Sequence, residues 1–379
     1  MKILKKVCLI SINSYDELTG GGVYLRTLVK FLLKQQLTLT LIDKENSDKN
    51  FNDTHFNHLS YKKNKLSDIV SRLLFLPSFY MVYIFSLVKI FRGYDVIAFH
   101  NSRLGVIICF LKFLFPNKKI LLFTDNFEYD LLKQKKKTLT SFIEKYLVKF
   151  NEALALKNAD FISYITEHDK KNIDSYYRIE KANHLITPVI FDKSELQGMM
   201  STEFAIKLQG IKTDKRRKLI FTGSFDFFPN IDSAKKILFK AHEYPEILFI
   251  LAGRKINSLE FPDMSNVLLF DSLNNDEMAA LLSESDVFYS PLVMGSGMKT
   301  KVAEALSHGL YIYASEHTMI GYEDIKNNDK CVTTIKDVNE PFPDFIKKSS
   351  FDKELIKSTH KKYYSCERFC GNELNSFLS

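Results

Sequence analysis

Short runs of β-branched and aromatic residues alternate with longer segments whose apolar residues recur at helical spacing. This alternation is typical of α/β domains that are built on parallel sheets. In the first half of the chain it predicts strands at residues 7–12, 37–42, 96–99, 120–123 and 161–164, and helices at residues 23–33, 104–115 and 141–156.

A second set of alternating segments follows the polar, charged residues 192–218, with strands predicted at residues 219–222, 247–252, 267–270, 287–290 and 311–314. We therefore expect two Rossmann-like, doubly wound parallel-sheet domains that face a cleft, with ligands bound outside the carboxyl ends of the strands. The predicted limits are an N-terminal domain over 1–195, a linker over 196–217, a C-terminal domain over 218–350 and a terminal helix over 351–379.

The composition fits a globular, two-domain protein, since the 379 residues are 45% hydrophobic and 26% charged. Five cysteines, an odd number without a CxxC pair, favour neither a disulfide framework nor a zinc site. The apolar run 7–12 is short and has no small-residue cleavage site behind it, so we interpret it as a buried strand rather than an export signal. These features predict a protein of the reducing cytoplasm.

The net charge of +8 is unevenly distributed along the chain. Residues 1–200 hold 30 Lys and Arg against 20 Asp and Glu, whereas residues 201–379 hold 23 against 25. The excess allows a nucleic acid, a phosphorylated molecule or an anionic membrane as partner. No nucleic-acid recognition motif accompanies it, so nucleic acid is disfavoured. The run KQKKK at 133–137 is either a solvated loop or a contact for anionic lipid.

Residues 73–90 are apolar for nearly the length of a bilayer span, although they include Pro77, Ser78, Ser86 and Lys89. We favour a buried or groove-lining helix over contact with a membrane interface, and both over a true span. The basic residues that follow this stretch favour an aromatic-rich face of the N-terminal domain that rests on an anionic membrane.

Three glycines, Gly20, Gly21 and Gly22, separate the first predicted strand from the first predicted helix. Glycine lets the backbone approach a ligand, and exposed amides at a helix N-terminus attract anions, so Gly21 and Gly22 are candidate ligand contacts. The spacing is not GxGxxG, and the bland alternative is a flexible turn with a helix cap.

The segment PLVMGSGMKTKVAEALSHGLYIYAS, residues 291–315, carries the strongest functional signal. A helix is predicted from about Met298 to Ser307, and Lys299 and Lys301 near its start oppose its macrodipole. An anion bound at the adjacent amides would remove that conflict. Glu304 either forms a surface pair with Lys301 or presents its carboxylate to a pair of hydroxyls, as a ribose offers.

The motif GSGMKTKVAEAL resembles the donor-site motif of GT-B glycosyltransferases of the family 4 type, bacterial enzymes that build capsule, O-antigen and other surface polysaccharides. Further similar segments cover nearly the whole chain: DVIAFHNSRLG (95–105), DNFEYDLL (125–132), TGSFDFFPNIDSAKKIL (222–238), LFILAGRK (248–255) and LLSESDVFYSPL (281–292). The closing YSCERFCGNELNSFL is similar to the terminal helix by which this fold returns to its first domain.

The resemblance implies that Glu304 binds the ribose of a nucleotide-sugar donor, and that Ser296 stands where a first glutamate often stands. Ser224 and Asn230 occupy places where relatives carry an arginine and a lysine that grip the diphosphate. The donor site that it implies consists of Gly223, Ser224, Arg254, Gly295, Ser296, Gly297, Met298, Lys299, Lys301 and Glu304, with Lys299, Lys301 and Arg254 as the sources of positive charge.

The resemblance also implies a histidine near the donor sugar, and Asp125 stands in its place. Either His100, at the neighbouring strand end, takes over that role or Asp125 itself contacts sugar hydroxyls. Both have structural alternatives, because a lone buried histidine often only packs, and Asp125 with Glu128 could begin a helix. His100, Asp125 and Lys299 are the candidate catalytic residues.

The predicted activity is sugar transfer from a nucleotide-sugar donor to a saccharide acceptor, which is either free or lipid-linked. No DxD sequence occurs, in agreement with leaving-group stabilisation by cations and a helix N-terminus rather than a metal cofactor. Retention of anomeric configuration is implied by the resemblance alone. The alternatives are a sugar-nucleotide epimerase of the same fold and a non-catalytic sugar-nucleotide-binding protein. The predicted location is the cytoplasm or the inner face of the cell membrane.

Overall fold

The computed structural model describes residues 5–17, 19–44, 55–62, 66, 69–71, 83–133, 139–181, 184–193, 198–260, 262–295, 297–369, 374 and 377. The chain divides into two compact units. The first comprises Met1–Val189 with Phe369–Ser379, and the second comprises Ile190–Arg368.

The first unit is built on a seven-stranded sheet in the order β3-β2-β1-β4-β5-β6-β7, with every pair parallel. Its strands are β1 (Lys6–Ser11), β2 (Thr38–Lys44), β3 (Phe56–Tyr61), β4 (Val96–His100), β5 (Lys119–Phe123), β6 (Phe161–Tyr164) and β7 (His184–Ile186). Its helices are α1 (Gly20–Lys34), α2 (Ile84–Phe91), α3 (Gly105–Leu114), α4 (Glu128–Lys133), α5 (Leu139–Asn158) and α6 (Glu167–Tyr177).

The second unit is built on a six-stranded sheet in the order β10-β9-β8-β11-β12-β13, again with every pair parallel. Its strands are β8 (Arg217–Thr222), β9 (Ile247–Ala252), β10 (Val267–Phe270), β11 (Val287–Ser290), β12 (Tyr311–Ser315) and β13 (Val332–Ile335). Its helices are α7 (Thr202–Thr213), α8 (Phe228–Glu243), α9 (Asn275–Ser283), α10 (Thr300–Ser307), α11 (Asp344–Lys348) and α12 (Lys353–Tyr364).

The central strands are apolar on both faces, as a parallel sheet covered by helices requires. Every residue of β4, β9, β11 and β12 is buried. Both sheets have the strand order of a doubly wound fold, so the predicted fold class of two Rossmann-like domains is confirmed. In each sheet the order reverses between the first and fourth strands, β1 and β4 or β8 and β11, which is where such sheets bind ligands.

Three strands that the sequence pattern does not predict lie at the edges of the sheets. β3, β7 and β13 pair with one neighbour each, and most of their residues are partly or fully exposed. Because one flank or face of such a strand meets solvent, its sequence lacks the continuous apolar run that marks a central strand.

The interval 196–217, predicted to be a linker, contains helix α7. Ser201 caps its N-terminus, since the Ser201 hydroxyl accepts a hydrogen bond from the Phe204 amide at 3.3 Å. Phe204, Leu208 and Ile211 are buried along one side of the helix. Three apolar positions among charged residues are enough to hold a surface helix against the second unit.

The chain end is divided between the two units. Helix α12 belongs to the second unit, whereas Phe369 and Phe377 pack in the first. The Phe369 ring meets Phe31 of α1 at a centroid distance of 4.7 Å, and the Phe377 ring meets Phe161 of β6 at 4.8 Å.

None of the helices in the described part of the chain is both long and apolar enough to cross a membrane. Of the apolar stretch 73–90, residues 73–82 lie outside the described residues, and the rest includes most of α2. Ile84, Leu87 and Phe91 of α2 are buried in the first unit, whereas Phe85 is 87% exposed.

Gly105 provides a test of the packing between α3 and α5. A Cβ atom at this position would lie 1.8 Å from the Asn151 carbonyl oxygen, so Gly105→Ala must push the two helices apart. We expect a loss of about 3 kcal/mol or more in the free energy of unfolding, measured by denaturant titration.

Gly210→Ala is the matched control, because Gly210 lies in α7 with no atom within 4 Å of its added Cβ. That change should stabilise the protein by about 0.5 to 1 kcal/mol through helix propensity. Equal effects at the two glycines would contradict the packing account.

Candidate functional site

A hydrogen bond joins the two strands at the point where the order of the first sheet reverses. Ser11 ends β1 and His100 ends β4, and the Ser11 hydroxyl lies 2.8 Å from His100 Nδ1. The Asn13 amide donates to the same Ser11 oxygen at 3.0 Å. The imidazole also meets the Tyr24 ring edge-on, at a centroid distance of 5.6 Å.

His100 is a neutral, fully buried imidazole. Its exposed fraction is 0%, and burial lowers its pKa to about 4. Nε2 has no hydrogen-bond partner among the described residues, and the nearest carboxylate oxygen is Oδ2 of Asp125 at 3.6 Å. His100 therefore lies below the protein surface, behind Asp125.

Asn101 joins two carboxyl groups that lie beside His100. Its side-chain amide donates to Asp125 Oδ1 at 2.8 Å and to Glu128 Oε1 at 3.0 Å, while its own Oδ1 accepts from the Arg103 amide at 2.9 Å. Its backbone φ is 90°, in the region that favours glycine. The side-chain contacts hold this strained backbone in place, as is common at functional sites.

Burial raises the pKa of Asp125 and of Glu128, because both carboxyl groups are almost completely removed from water. One cation opposes this effect: the Arg103 guanidinium donates from Nε to Glu128 Oε2 at 2.8 Å. The ionised forms of the two neighbouring acids therefore disfavour each other, and Arg103 compensates only part of that cost.

Glu152 of α5 supports the loop from below. Its carboxylate accepts from the Ser102 hydroxyl at 2.9 Å, the Glu128 amide at 3.1 Å and the Tyr177 hydroxyl at 2.8 Å. Burial raises the pKa of Glu152 to about 7. The acid thereby caps the start of α4 and fixes the position of Glu128.

Gly21 and Gly22 begin α1 with close contacts to the loop after β1. An added Cβ would lie 2.5 Å from Asn13 Nδ2 at Gly21 and 2.0 Å from the Glu17 carbonyl at Gly22. Thr19 caps the helix. Close packing within the first unit therefore accounts for both glycines.

In the second unit, the loops after β8 and β9 touch through their backbones. Gly253 has a φ of 147°, and a Cβ there would lie 1.7 Å from the Gly223 carbonyl oxygen. Arg254 is exposed, and its guanidinium donates to the Ser224 hydroxyl at 3.1 Å. The Ser224 hydroxyl in turn donates to Asp226 at 2.7 Å.

Lys301 extends from α10 across to the end of β8. Its ammonium donates to the Thr222 carbonyl at 2.8 Å and to Asn230 Oδ1 at 3.0 Å, and it lies 4.3 Å from the centre of the Phe221 ring. Burial lowers its pKa to about 7, and Lys299 contributes in the same direction. Its neutral and charged forms are therefore close in free energy at neutral pH.

Glu304 lies one turn further along α10, and burial raises its pKa to about 7. Among the described residues its carboxylate has neither a hydrogen-bond donor nor a cation within 4.0 Å. The surface ion pair with Lys301, the simpler of the two interpretations of this spacing, does not form. Glu304 as a whole is partly exposed to solvent, and a ligand with hydroxyl groups would supply partners for its carboxylate.

The loop between β11 and α10 contains two glycines with left-handed backbones, Gly295 at φ 118° and Gly297 at φ 68°. Lys299 is the N-cap residue of α10, and its ammonium donates to the Gly297 carbonyl at 2.6 Å. Met298 is buried, and Ser296 lies outside the described residues. The helix begins at Thr300, two residues later than predicted.

The amides of Thr300 and Lys301 have no hydrogen-bond partner among the described residues. No described side chain caps the helix at Lys299, and of the backbone amides in its first turn the Tyr322 hydroxyl accepts from that of Ala303, at 3.0 Å. Two unpaired amides and two lysines therefore lie together at one helix N-terminus, which is a favourable place for an anion.

The candidate residues form two groups, one in each unit. His100 and Asp125 are neighbours in the first unit, and the loop containing Asn13 links them to Gly21. In the second unit, Lys301 connects α10 to the loop after β8, which carries Gly223, Ser224 and Arg254.

Sequence reasoning missed Arg103, Glu152 and Tyr322. Arg103 and Glu152 hold the Asn101–Glu128 network, and Tyr322 holds the start of α10 by donating to the Lys299 carbonyl at 2.7 Å. A charged residue in a helix pattern indicates a solvated face, so Glu152 carries no sequence signal of its burial. Only the packing of α5 beneath α4 reveals it.

No protein-family model and no curated protein sequence matches the chain. Solved structures share its fold over almost the whole length. Sucrose-phosphate synthase from Thermosynechococcus elongatus is 13% identical, with 99% of this chain and 98% of that chain covered and a TM-score of 0.71. Anabaena HepE, in complex with UDP and glucose, is 12% identical, with 99% of each chain covered and a TM-score of 0.64.

WaaG, a glycosyltransferase involved in lipopolysaccharide biosynthesis, is 14% identical, with 97% of this chain and 92% of that chain covered and a TM-score of 0.58. At these identities the likeness establishes the fold, which is that of the GT-B glycosyltransferases.

Glu304 should make stability depend on pH. Its pKa is about 7 in the folded protein, against an ordinary value of 4.5 for a glutamate side chain, so the unfolded chain releases the proton first as pH rises. The cost of holding Glu304 in the fold therefore grows between about pH 4.5 and about pH 7. Glu304→Gln removes that cost. The melting temperature of this variant minus that of the unchanged protein should therefore rise from about pH 4.5 to about pH 7 and then level off.

The same difference measured for Glu340→Gln serves as the control, because Glu340 is exposed. Differential scanning calorimetry from about pH 4 to about pH 8 measures both variants. A pH-independent difference for Glu304→Gln would contradict the raised pKa.

Proposed function

We propose that the protein is a glycosyltransferase that moves a sugar from a nucleotide-sugar donor to a saccharide acceptor. The observation that carries this proposal is the arrangement at the N-terminus of α10. Lys299 and Lys301 lie there with two backbone amides and the Glu304 carboxylate, and neither these amides nor this carboxylate has a hydrogen-bond partner within the part of the chain that the structure describes. Such a set can bind a diphosphate and a pair of ribose hydroxyls at once. The shared GT-B fold supports the same activity.

In this proposal Lys301 supplies a positive charge that enzymes of the similar family supply from another position in the chain. Those enzymes carry a lysine at the position of Asn230, and here the Lys301 ammonium lies 3.0 Å from Asn230 Oδ1. The cation therefore occupies nearly the same region although it comes from a different helix. An arriving diphosphate would stabilise the charged form of Lys301, whose pKa burial has lowered to about 7.

Glu304 takes the ribose of the donor nucleotide in this proposal. Its carboxylate lies on the side of α10 that also carries Lys301, and two hydroxyl donors would satisfy its oxygens. Arg254 and Ser224, which are hydrogen-bonded to each other at 3.1 Å, are further contacts for the diphosphate.

The proposed chemistry forms a bond between the sugar C1 and an acceptor hydroxyl oxygen and breaks the bond between C1 and the diphosphate oxygen. The bonding electron pair goes to that diphosphate oxygen, and the departing diphosphate takes the proton of the acceptor hydroxyl. Lys299, Lys301 and the helix N-terminus stabilise the negative charge, so we propose a reaction that needs no metal. Retention of configuration at C1 is part of the proposal because the resembling family retains it.

The first unit binds the acceptor and the transferred sugar in this proposal. Asp125 is the better candidate for contact with sugar hydroxyls, because His100 is wholly buried behind it. His100 and Asn101 then act as positioning residues for the Asp125 carboxyl. We propose an acceptor of surface-polysaccharide synthesis, free or lipid-linked, and a cytoplasmic enzyme at the inner face of the membrane.

A donor panel separates this function from its alternatives. The purified protein is incubated with nucleotide sugars, with and without saccharide acceptors, and products are identified by mass spectrometry. Acceptor-dependent release of nucleoside diphosphate supports transfer. Isomerisation of the donor without acceptor would indicate an epimerase, and binding without turnover would indicate a non-catalytic protein.

Glu304→Ala and Lys299→Ala should each reduce kcat/KM by about 100-fold or more, since each removes a charged contact to the donor. Lys235→Ala is the control, because this exposed lysine lies on the outer part of α8. Circular dichroism checks that the variants fold. Near-normal activity of both site variants would refute the donor-site assignment.

Moving the lysine from α10 to α8 tests the proposed role of the Lys301 ammonium. Lys301→Gln should weaken nucleotide-sugar binding by about tenfold or more, because it removes a charged hydrogen-bond donor. Adding Asn230→Lys should restore most of that affinity, since the new ammonium can reach the same region. Calorimetric titration measures both variants.

Asn230→Lys in the presence of Lys301 is the control, and it should not strengthen binding comparably, because two ammonium groups would then share one place. If the double variant binds no better than Lys301→Gln, the ammonium of Lys301 is not the equivalent of a cation at position 230.

A further inference from the structure

Helix α5 exposes apolar side chains on its outward face. Phe142, Ile143, Tyr146 and Phe150 are exposed by 57%, 48%, 57% and 57%, respectively. Phe142, Ile143 and Tyr146 belong to the N-terminal half of the helix, and Phe150 follows one turn after Tyr146. The Phe142 and Tyr146 rings contact each other at a centroid distance of 4.6 Å. An ordinary surface helix carries polar residues on this face.

Three lysines surround two tyrosine rings next to these apolar residues. Lys133, Lys145 and Lys149 lie 4.8, 5.4 and 5.3 Å from the centre of the Tyr129 ring. Lys133 and Lys149 also lie 5.2 and 5.3 Å from the centre of the Tyr176 ring. The aromatic–lysine face is the set of Tyr129, Lys133, Phe142, Ile143, Lys145, Tyr146, Lys149, Phe150 and Tyr176.

The positive charge of this face is only partly neutralised. Asp130 lies 3.2 Å from Lys133, and Glu144 lies 3.6 Å from Arg103 rather than beside a lysine of the face. Among the described residues, neither Lys145 nor Lys149 has a carboxylate within 4.0 Å. Lysines that rest on aromatic rings keep their ammonium groups available to an external anion.

These side chains match the chemistry of an anionic bilayer surface. Tyrosine and phenylalanine partition to the boundary between headgroups and acyl chains, while lysines extend to the lipid phosphates. The cores of protein–protein interfaces are depleted in lysine, so a lysine-rich apolar face suits lipid better than protein.

We propose that the aromatic–lysine face docks the protein on membranes that contain anionic phospholipid. The apolar side chains of α5 enter the interface and the three lysines contact lipid phosphates. This docking does not depend on sugar transfer, because the protein's binding to vesicles can be measured without any donor or acceptor.

The test is sedimentation of the full-length protein with vesicles of phosphatidylcholine, either alone or with about one third phosphatidylglycerol. Binding should require phosphatidylglycerol and should weaken as salt is raised, because salt screens the lysine charges. The triple variant Lys133→Gln, Lys145→Gln, Lys149→Gln should have a vesicle partition coefficient lower by about 100-fold, at about fivefold per lysine.

Two matched controls use the second unit. Lys235→Gln, Lys330→Gln and Lys336→Gln remove the same charge from exposed lysines elsewhere. The double variant Phe142→Ser, Phe150→Ser removes apolar side chains from the aromatic–lysine face. Its control is the double variant Ile206→Ser, Phe239→Ser, at positions that are 69% and 65% exposed. Only changes in the aromatic–lysine face should reduce binding, and melting temperatures verify folding.

A second measurement covers the case in which the multiple variants fail to fold. The chain has no tryptophan, so Phe142→Trp introduces a single reporter at the proposed contact. Its emission should shift to shorter wavelength with phosphatidylglycerol vesicles, whereas that of Phe239→Trp should not.

The proposal is overturned if binding is independent of lipid charge, if the control lysines matter equally, or if Phe142→Trp does not respond to vesicles. If the protein binds an oligonucleotide through this face and does not bind vesicles, the face belongs to nucleic acid instead. A variant of the aromatic–lysine face that no longer binds vesicles but still transfers sugar to a soluble acceptor would show that membrane docking and the proposed activity are separate properties.

Discussion

Both sheets are governed by one topological constraint: all strands are parallel, and the winding direction reverses once in each sheet. At that reversal the helices on either side leave in opposite directions, so the carboxyl ends of two adjacent strands are not covered by a crossover. Ser11 and His100 occupy these ends in the first unit. In the second unit, Lys301 binds the carbonyl that ends β8. The polar chemistry of each unit therefore lies where its topology leaves room for it.

The two units handle buried charge in different ways. In the first, a hydrogen bond satisfies almost every oxygen of Asp125, Glu128 and Glu152. In the second, Lys301 has neutral acceptors only, and Glu304 has no polar partner among the described residues. A completed network positions its own members, whereas an incomplete one retains the capacity to bind something else.

The fold class was predictable because it depends on runs of apolar residues that every central strand repeats. Edge strands such as β3 and β13 were not, since exposure on one side removes that signal. In the site, Lys301 and Glu304 could be singled out by their place near a helix start. Their partners could not, because the contact of Lys301 with Asn230 joins residues 71 positions apart. Likewise, nothing in the sequence near Glu152 indicates that four groups from other elements converge on it.

The contact between Gly223 and Gly253 limits how this protein can evolve. The carbonyl oxygen of Gly223 fills the space that any side chain at position 253 would need. Any side chain at position 253 therefore meets an immediate steric penalty, whereas a side chain at position 223 would meet the Asn230 side chain instead. Variation among descendants of this chain is left to the side chains that flank the pair, such as Ser224 and Arg254. Those side chains can be exchanged without moving the backbone beneath them.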